Sequence, residues 1–242
     1  MNNKDLICFF DFETSSTDPK SCNIIESAWA VYSLKTHRKI ASHSLVVRPK
    51  EKVDEFIEKF TKLTNEELYD FGVSYHALLA SLKEGFVQAK YVAGHNIKSY
   101  DIVICSRLEL GSTLENKIII DTMTDLPEYP SKSRKLSHVA CDNGIFNPFP
   151  HQAASDVDTA AALFFKFNPE DVIKLATSPI VYVRANVKRE NKELAKERGY
   201  RWDGKNVLWY KEVKECKIDE EKALCEGAFE MTKLVDYMPP RD

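Results

Sequence analysis

The spacing of apolar residues changes period several times along this chain. Leu6 to Phe12 is an apolar run ending in acids, Ile24 to Leu34 is a second strand-like run, and Ser42 to Arg48 is a third, closed by Pro49. Three strands in quick succession predict an antiparallel meander that opens a sheet. The period then turns helical. Val53, Phe56, Ile57 and Phe60 recur at helical spacing, and Thr64, ahead of Glu67, caps a short helix to Tyr69. Tyr75 to Gln88 reads as a helix that buries Leu78, Leu79 and Leu82. Tyr91 to His95 reads as a short strand, Tyr100 to Leu110 as a helix and Ile118 to Asp121 as a strand. A helix from Lys135 to Asn143 stops at Gly144, and an alanine-rich one follows from Ser155 to Phe165. Strands that alternate with helices after an antiparallel start predict an α/β domain over residues 1–170, a mixed sheet flanked by helices.

Asn168-Pro169 closes that region, with a short helix after it, and Ser178-Pro179 opens a different one. Ile180 to Val187 is strand-like, Glu190 to Arg198 is a short helix ended by Gly199, and Asn206 to Val213 is a strand carrying two aromatics. Glu220 to Tyr237 is predicted to add a closing helix, and Pro239 to Asp242 a frayed tail. These elements form a small α+β module over residues 178–238.

A length of 242 residues suits one packed domain and a small module. Hydrophobic residues at 43% and charged residues at 29% are ordinary for a globular protein. No apolar run reaches membrane-spanning length, and the first residues lack the features of a signal peptide. The six cysteines, at 8, 22, 105, 141, 216 and 225, form no CxxC pair. Reduced structural thiols in a cytoplasmic or host-cell cytoplasmic setting are therefore expected. The net charge of −3 is unevenly spread: Lys174 to Lys217 holds twelve basic and six acidic residues, and the remainder holds 22 and 31. That partition suits an acidic body that holds cations beside a basic module that attracts phosphates; a solvated basic face gives the same count.

The candidate chemistry lies in the acids. Asp11 and Glu13 follow the first strand at i and i+2, so both carboxylates face one side of an extended chain. Buried, they need cations as compensation; exposed, they are a solvated strand end. Asp101 opens a helical stretch and fits either a cap or a ligand. Asp156 opens the alanine-rich helix five residues after His151, which sits in a loop behind Pro148 and Pro150 and is a side-chain type able to deliver or accept a proton. Asp158 is expected to face elsewhere, as a cap or solvated acid. Taken together, acids at strand ends and helix starts suit hard divalent cations such as Mg²⁺ or Mn²⁺. Two such ions about 3.5–4 Å apart are able to activate water and stabilise a leaving 3′ oxygen.

Asp11-Phe12-Glu13-Thr14, Gly94-His95-Asn96 through Tyr100-Asp101, and His151 through Ser155-Asp156 stand in one order over residues 5–167. In this they resemble the DEDDh exonucleases, the family of the proofreading subunit of bacterial DNA polymerase III. The resemblance implies a ribonuclease H-like fold. It implies that Asp11, Glu13 and Asp156 hold one metal, that Asp11 and Asp101 serve a second, and that His151 is the general base. It further implies release of nucleoside 5′-monophosphates from a 3′ end. Thr14 would hold the terminal nucleotide. Phe12 would stack on a base or pack in the core, and Asn96 would position the end, brace its loop or form an Asx turn. Two positions depart from the commonest pattern: Thr14-Ser15-Ser16 where a glycine is usual, and Asn96 five rather than four residues before Asp101.

The module carries basic residues around Tyr200, Trp202, Trp209 and Tyr210, and resembles small domains appended to some phage and bacterial exonucleases. Its tryptophans are either its core or stacking platforms for unpaired bases. The expected partner is single-stranded nucleic acid or a duplex 3′ end, DNA ahead of RNA, with a polymerase or repair protein as a further partner and no membrane. A binding protein with secondary catalysis is the rival reading.

Overall fold

A computed structural model describes residues 3–127 and 131–240, so Arg241 and Asp242 of the tail expected to fray lie outside it. The meander forms as predicted: β1 (Leu6–Thr14), β2 (Ile24–Ser33) and β3 (Lys39–Val46) pair antiparallel. Three helices follow, α1 (Glu55–Thr61), α2 (Asn65–Asp70) and α3 (Tyr75–Gln88). Thr64 caps α2 in a complete capping box with Glu67. Next come β4 (Tyr91–Gly94), α4 (Asp101–Arg107), α5 (Gly111–Leu114), β5 (Ile118–Asp121), α6 (Leu136–Asp142), α7 (Ala153–Phe164) and α8 (Pro169–Thr177). The sheet order is β3-β2-β1-β4-β5, with β4 parallel to both its neighbours, and this is the ribonuclease H-like arrangement.

Alternation along β1 divides the core. Cys8, Phe10 and Phe12 point to the face packed by Leu78, Leu82 and Phe86 of α3. Ile7 and Phe9 point to the face packed by Val157, Ala160 and Phe164 of α7. Asp11 and Glu13 continue that second row toward the C-terminal end of the strand. Asp158 faces away from them as expected, but it is no free acid: it accepts hydrogen bonds from the Tyr32 hydroxyl and the Lys39 ammonium, joining α7 to β2 and β3.

The chain divides into two compact units, Met1–Ala176 and Thr177–Asp242. The first runs six residues past the expected boundary at 170, because α8 buries Val172 in the core of the larger unit. The smaller unit contains β6 (Ile180–Asn186), a 3-10 turn at Arg189–Asn191, α9 (Lys192–Glu197), β7 (Arg201–Asp203), β8 (Leu208–Lys214), α10 (Ile218–Cys225) and β9 (Glu230–Lys233). Its strands form an antiparallel sheet in the order β7-β8-β6-β9. The closing helix expected over Glu220 to Tyr237 is therefore a correction. Helix α10 ends at Cys225, Gly227 turns the chain at φ 79°, and residues 230–233 pair with β6, burying Met231. The core of this unit is built on Val183, Ala185, Ala195, Tyr200, Val213, Cys225 and Met231. Trp209 only borders it, and Trp202 stands half exposed, so the tryptophan-centred core is not what forms.

One glycine controls the route from the sheet toward Asp101. A Cβ on Gly94 would lie 2.6 Å from the Phe10 carbonyl oxygen and 2.4 Å from Ile97 Cγ2. Gly94→Ala is expected to destabilise the fold by about 1–3 kcal/mol, the usual effect of overpacking. A urea midpoint unchanged from the parent would refute the close approach.

Candidate active site

Strand β1 runs two residues beyond the expected end at Phe12, so Glu13 as well as Asp11 is held by strand pairing. Asp11 lies opposite Ala28 and Glu13 opposite Glu26, with the register breaking just after Glu13. Glu26 is itself buried, and like charges directly opposite each other destabilise a sheet. This further carboxylate was missed in the sequence because β2 is buried along its whole length and reads there as core.

Asp101 arrives from the loop after β4. Asn96 in that loop has a left-handed φ of 64°, and its backbone N–H donates to Asp121 Oδ1 at 2.7 Å. Lys98 N donates to Asp121 Oδ2 at 3.1 Å, so the acid ending β5 organises the loop. The Asn96 side chain accepts from Ser99 Oγ within the same loop at 2.6 Å. Asp101, 3% exposed, leads into α4 with its Oδ1 lacking any hydrogen-bond partner. A buried carboxylate oxygen left unsatisfied is costly, and a cation would satisfy it.

Asp156 sits in the first turn of α7. Asn147 Nδ2 donates to its Oδ1 at 2.6 Å and the His151 backbone N–H to its Oδ2 at 3.1 Å. Ser155 Oγ in turn holds Asn147 Oδ1 at 2.6 Å. His151 is exposed, has a left-handed φ of 64°, and rests its ring on Phe60 with centroids 4.1 Å apart.

Asp11, Glu13, Asp101, His151 and Asp156 all line one pocket of about 480 Å³, so the structure brings together the four acids and the histidine expected to form the site. Ligand atoms of Glu13, His151 and Asp156 lie within 4.8 Å of one another, a potential metal-binding cluster. Burial, and then the neighbouring carboxylates, hold the Asp11 carboxyl well above its usual range. The same causes, with Asp156 the foremost neighbour, push Glu13 up to about 8. Burial and then Asp121 push Asp101 up to about 8, and burial raises Asp156 and Glu26. Such a set ionises fully only beside positive charge. All-oxygen donors with one imidazole suit a hard divalent cation.

The remaining walls differ from the sequence expectation in part. The Phe12 ring is buried against Phe10 at 5.3 Å, so it packs in the core while the residue also borders the pocket. Thr14 Oγ1 and the Tyr100 hydroxyl lie 2.6 Å apart, and both bond the Ser16 carbonyl, at 2.8 and 2.7 Å. That clasp shapes the loop where a glycine is usual. Phe56 and Phe60 line the pocket with exposed, stacked rings, centroids 5.9 Å apart. Their four-residue spacing was visible in the sequence; that their side of α1 stays exposed was not.

Residues 8–164 match the RNase_T exonuclease family. The chain belongs to that family. No curated protein sequence matches it. Among solved structures, E. coli Exonuclease I in complex with a 5cy-dT13 oligonucleotide aligns with TM-score 0.62 at 16% identity, over 87% of this chain and 63% of its own. A moderately thermophilic Exonuclease I from Methylocaldum szegediense aligns with TM-score 0.58 at 20% identity, over 83% and 48%. A 3′-exonuclease that recognises the histone mRNA stem-loop aligns with TM-score 0.54 at 16% identity, over 69% and 83%. This family member spans about half the length of many of the Exonuclease I chains it matches, 42% to 49% in several cases.

The raised carboxyls give the apo protein a distinctive pH dependence. A folded-state value above the unfolded one stabilises at low pH, and that stability is lost as pH rises through the folded value, here from about 4 towards about 8. In chelator, Tm is expected to fall across this window, and added Mg²⁺ or Mn²⁺ to restore it. Asp101→Asn should raise Tm in chelator by about 2–4 °C per kcal/mol of repulsion removed. A flat profile, or a lower Tm for that variant, would show that the acids do not oppose one another.

Proposed function

We propose that this chain is a metal-dependent 3′–5′ exonuclease that hydrolyses phosphodiester bonds at a free 3′ end and releases nucleoside 5′-monophosphates. The observation that carries this reading is the convergence of Asp11, Glu13, Asp101, Asp156 and His151 on one pocket within a member of the RNase T family. Asp11, Glu13 and Asp156 would hold one divalent cation, with Asp11 and Asp101 serving a second. When bound, two Mg²⁺ or Mn²⁺ ions supply Lewis acidity at the scissile phosphate and its attacking water.

His151 is the general base in this reading. Its exposure beside Glu13 and Asp156 leaves the ring free to accept a proton from water, and Phe60 supports its face. The same closeness would let the imidazole act as a ligand, and the kinetics of a variant separate the two roles. Asn147 positions Asp156, and Asp121 positions the loop leading to Asp101. Thr14, held by Tyr100, and Asn96 border the pocket where a terminal nucleotide would sit. Phe56 and Phe60 offer flat apolar faces for its base, a contact indifferent to base identity.

Single-stranded DNA or a frayed duplex end is the proposed substrate, in line with the DNA oligonucleotides bound by Exonuclease I, to which this chain is similar in fold. RNA is the second reading, favoured by the likeness to the histone mRNA 3′-exonuclease.

The deciding experiment is digestion of matched 5′-labelled single-stranded DNA and RNA with Mg²⁺, with Mn²⁺ and with chelator. A metal-dependent ladder shortening from the 3′ end is expected, faster on DNA. Asp11→Ala and Asp156→Ala should lose all detectable hydrolysis while keeping the fold, and near-parental turnover by either would sink the assignment. His151→Ala should slow single-turnover chemistry by about 10²–10⁴-fold with little change in binding. Phe60→Ala should raise KM about 5–100-fold, the range of one base–aromatic stack. An effect confined to kcat would count against stacking there.

A further inference from the structure

The smaller unit carries a second cleft, of about 950 Å³. One wall is the edge of its sheet, where Trp202 of β7 and Trp209 of β8 lie opposite each other in register with ring centroids 5.4 Å apart. The other wall is the helical segment that presents Lys188, Arg189, Lys192 and Lys196. Lys192 and Lys196 are one turn apart and share a helix face. Lys196 is ion-paired with Glu193 at 2.9 Å, whereas Lys188, Arg189 and Lys192 have no ion pair among the described residues. No acid is among the lining residues described.

Two features distinguish this cleft from a merely solvated basic face. Trp202 is 50% exposed and Val207 beside it 65%, although a unit this small has every reason to bury such side chains. Val207 also has a φ of 54°, a left-handed conformation that β-branched residues rarely adopt. The turn that holds it is rigidly tied. Buried Asp203 accepts the backbone N–H groups of Lys205 and Asn206, the Asn206 side-chain amide and the Tyr237 hydroxyl, at 2.7–3.0 Å. The exposed apolar wall is thus built before any ligand arrives.

Unpaired cations select a polyanion, and a tryptophan pair beside them selects one whose flat rings are free to stack. We propose that this cleft binds single-stranded nucleic acid, a base lying against Trp202 and Trp209 and flanking phosphates against Lys188, Arg189 and Lys192. A duplex keeps its bases in its own stack and offers the tryptophans nothing.

The test uses the full chain with Asp11→Asn, in chelator, so that no strand is consumed. Binding read this way stands independently of whether the parent hydrolyses a strand. Fluorescein-labelled dT20 is titrated by anisotropy across a salt series, and unlabelled dT20 by intrinsic fluorescence. The third tryptophan, Trp29, is buried, so quenching reports the cleft. The expected results are quenching by dT20 and affinity about tenfold or more weaker for an abasic 20-mer of equal charge. Trp202→Ala should show a similar loss and Trp202→Phe a partial recovery. Lys188→Ala with Lys192→Ala, a surface change that spares the core, should make the salt slope shallower by about 1–2. Parental dT20 affinity in Trp202→Ala, equal binding of the abasic strand, or an unchanged salt slope would overturn the proposal and point to a protein partner.

Discussion

Removal of Asp11, Glu13, Asp101 and Asp156 from water, and then the repulsion that neighbouring carboxylates add at Asp11 and Glu13, acts against the folded chain wherever no cation offsets it. The fold tolerates this because each acid is held by structure that has other reasons to form. Asp11 and Glu13 belong to a strand whose alternate residues Cys8, Phe10 and Phe12 fill one core and whose Ile7 and Phe9 fill another. Removing the acids from the site would require unpairing that central strand. Burying a full aromatic or aliphatic side chain contributes about 1.5–3 kcal/mol, and β1 buries several. The repulsion is therefore carried by the best-anchored element of the sheet.

The other two acids depend on loops, and there the anchoring is polar. Asp121 collects the backbone N–H groups of Asn96, Lys98 and Met123, while Asp125 receives the Asp121 N–H and the Lys98 ammonium. Asn147 does the same for Asp156, with Ser155 holding the amide in place. Asp121 behind the pocket has donors on both oxygens, and of the acids that face the pocket Asp156 does too, whereas Asp101 Oδ1 has none. Unmet demand for positive charge is thereby concentrated on the pocket side.

How much of this was legible in the sequence depended on whether a residue's neighbours in the chain or in space decide its state. Helix α3 and strand β5 fall where their periodicity and turn signals put them, and the Thr64 box is a purely local signal. Strand β1 continues past Phe12 to Thr14 because pairing with β2 outweighs the low strand preference of Glu13. Glu26 was hidden because nothing local separates it from its buried neighbours; its role follows from standing opposite Glu13. Residues 230–233 suit both helix and strand, and the open edge of β6 decides for strand β9. The charged site residues were legible together, through their order, although no single one was. The aromatic wall of the pocket was not, since hydrophobic spacing reports a helix and not which side of it remains exposed.

Both proposed contacts with a strand, Phe56 and Phe60 in the pocket and Trp202 and Trp209 in the cleft, rely on aromatic faces and not on groups that match base edges. Stacking is available from every base and only from an unpaired one. Phosphate contacts by Lys188, Arg189 and Lys192 carry no sequence information either. A protein built from these two kinds of contact discriminates by strand state: paired bases are withheld from it, and any loosened end is accepted. Hydrolysis from an end has the same requirement, since each step must accept whichever base comes next. The uneven charge adds direction to this indifference. With 31 acids and 22 bases outside Lys174 to Lys217, that part of the chain carries net repulsion for a strand, and the proposed attraction rests on the basic segment.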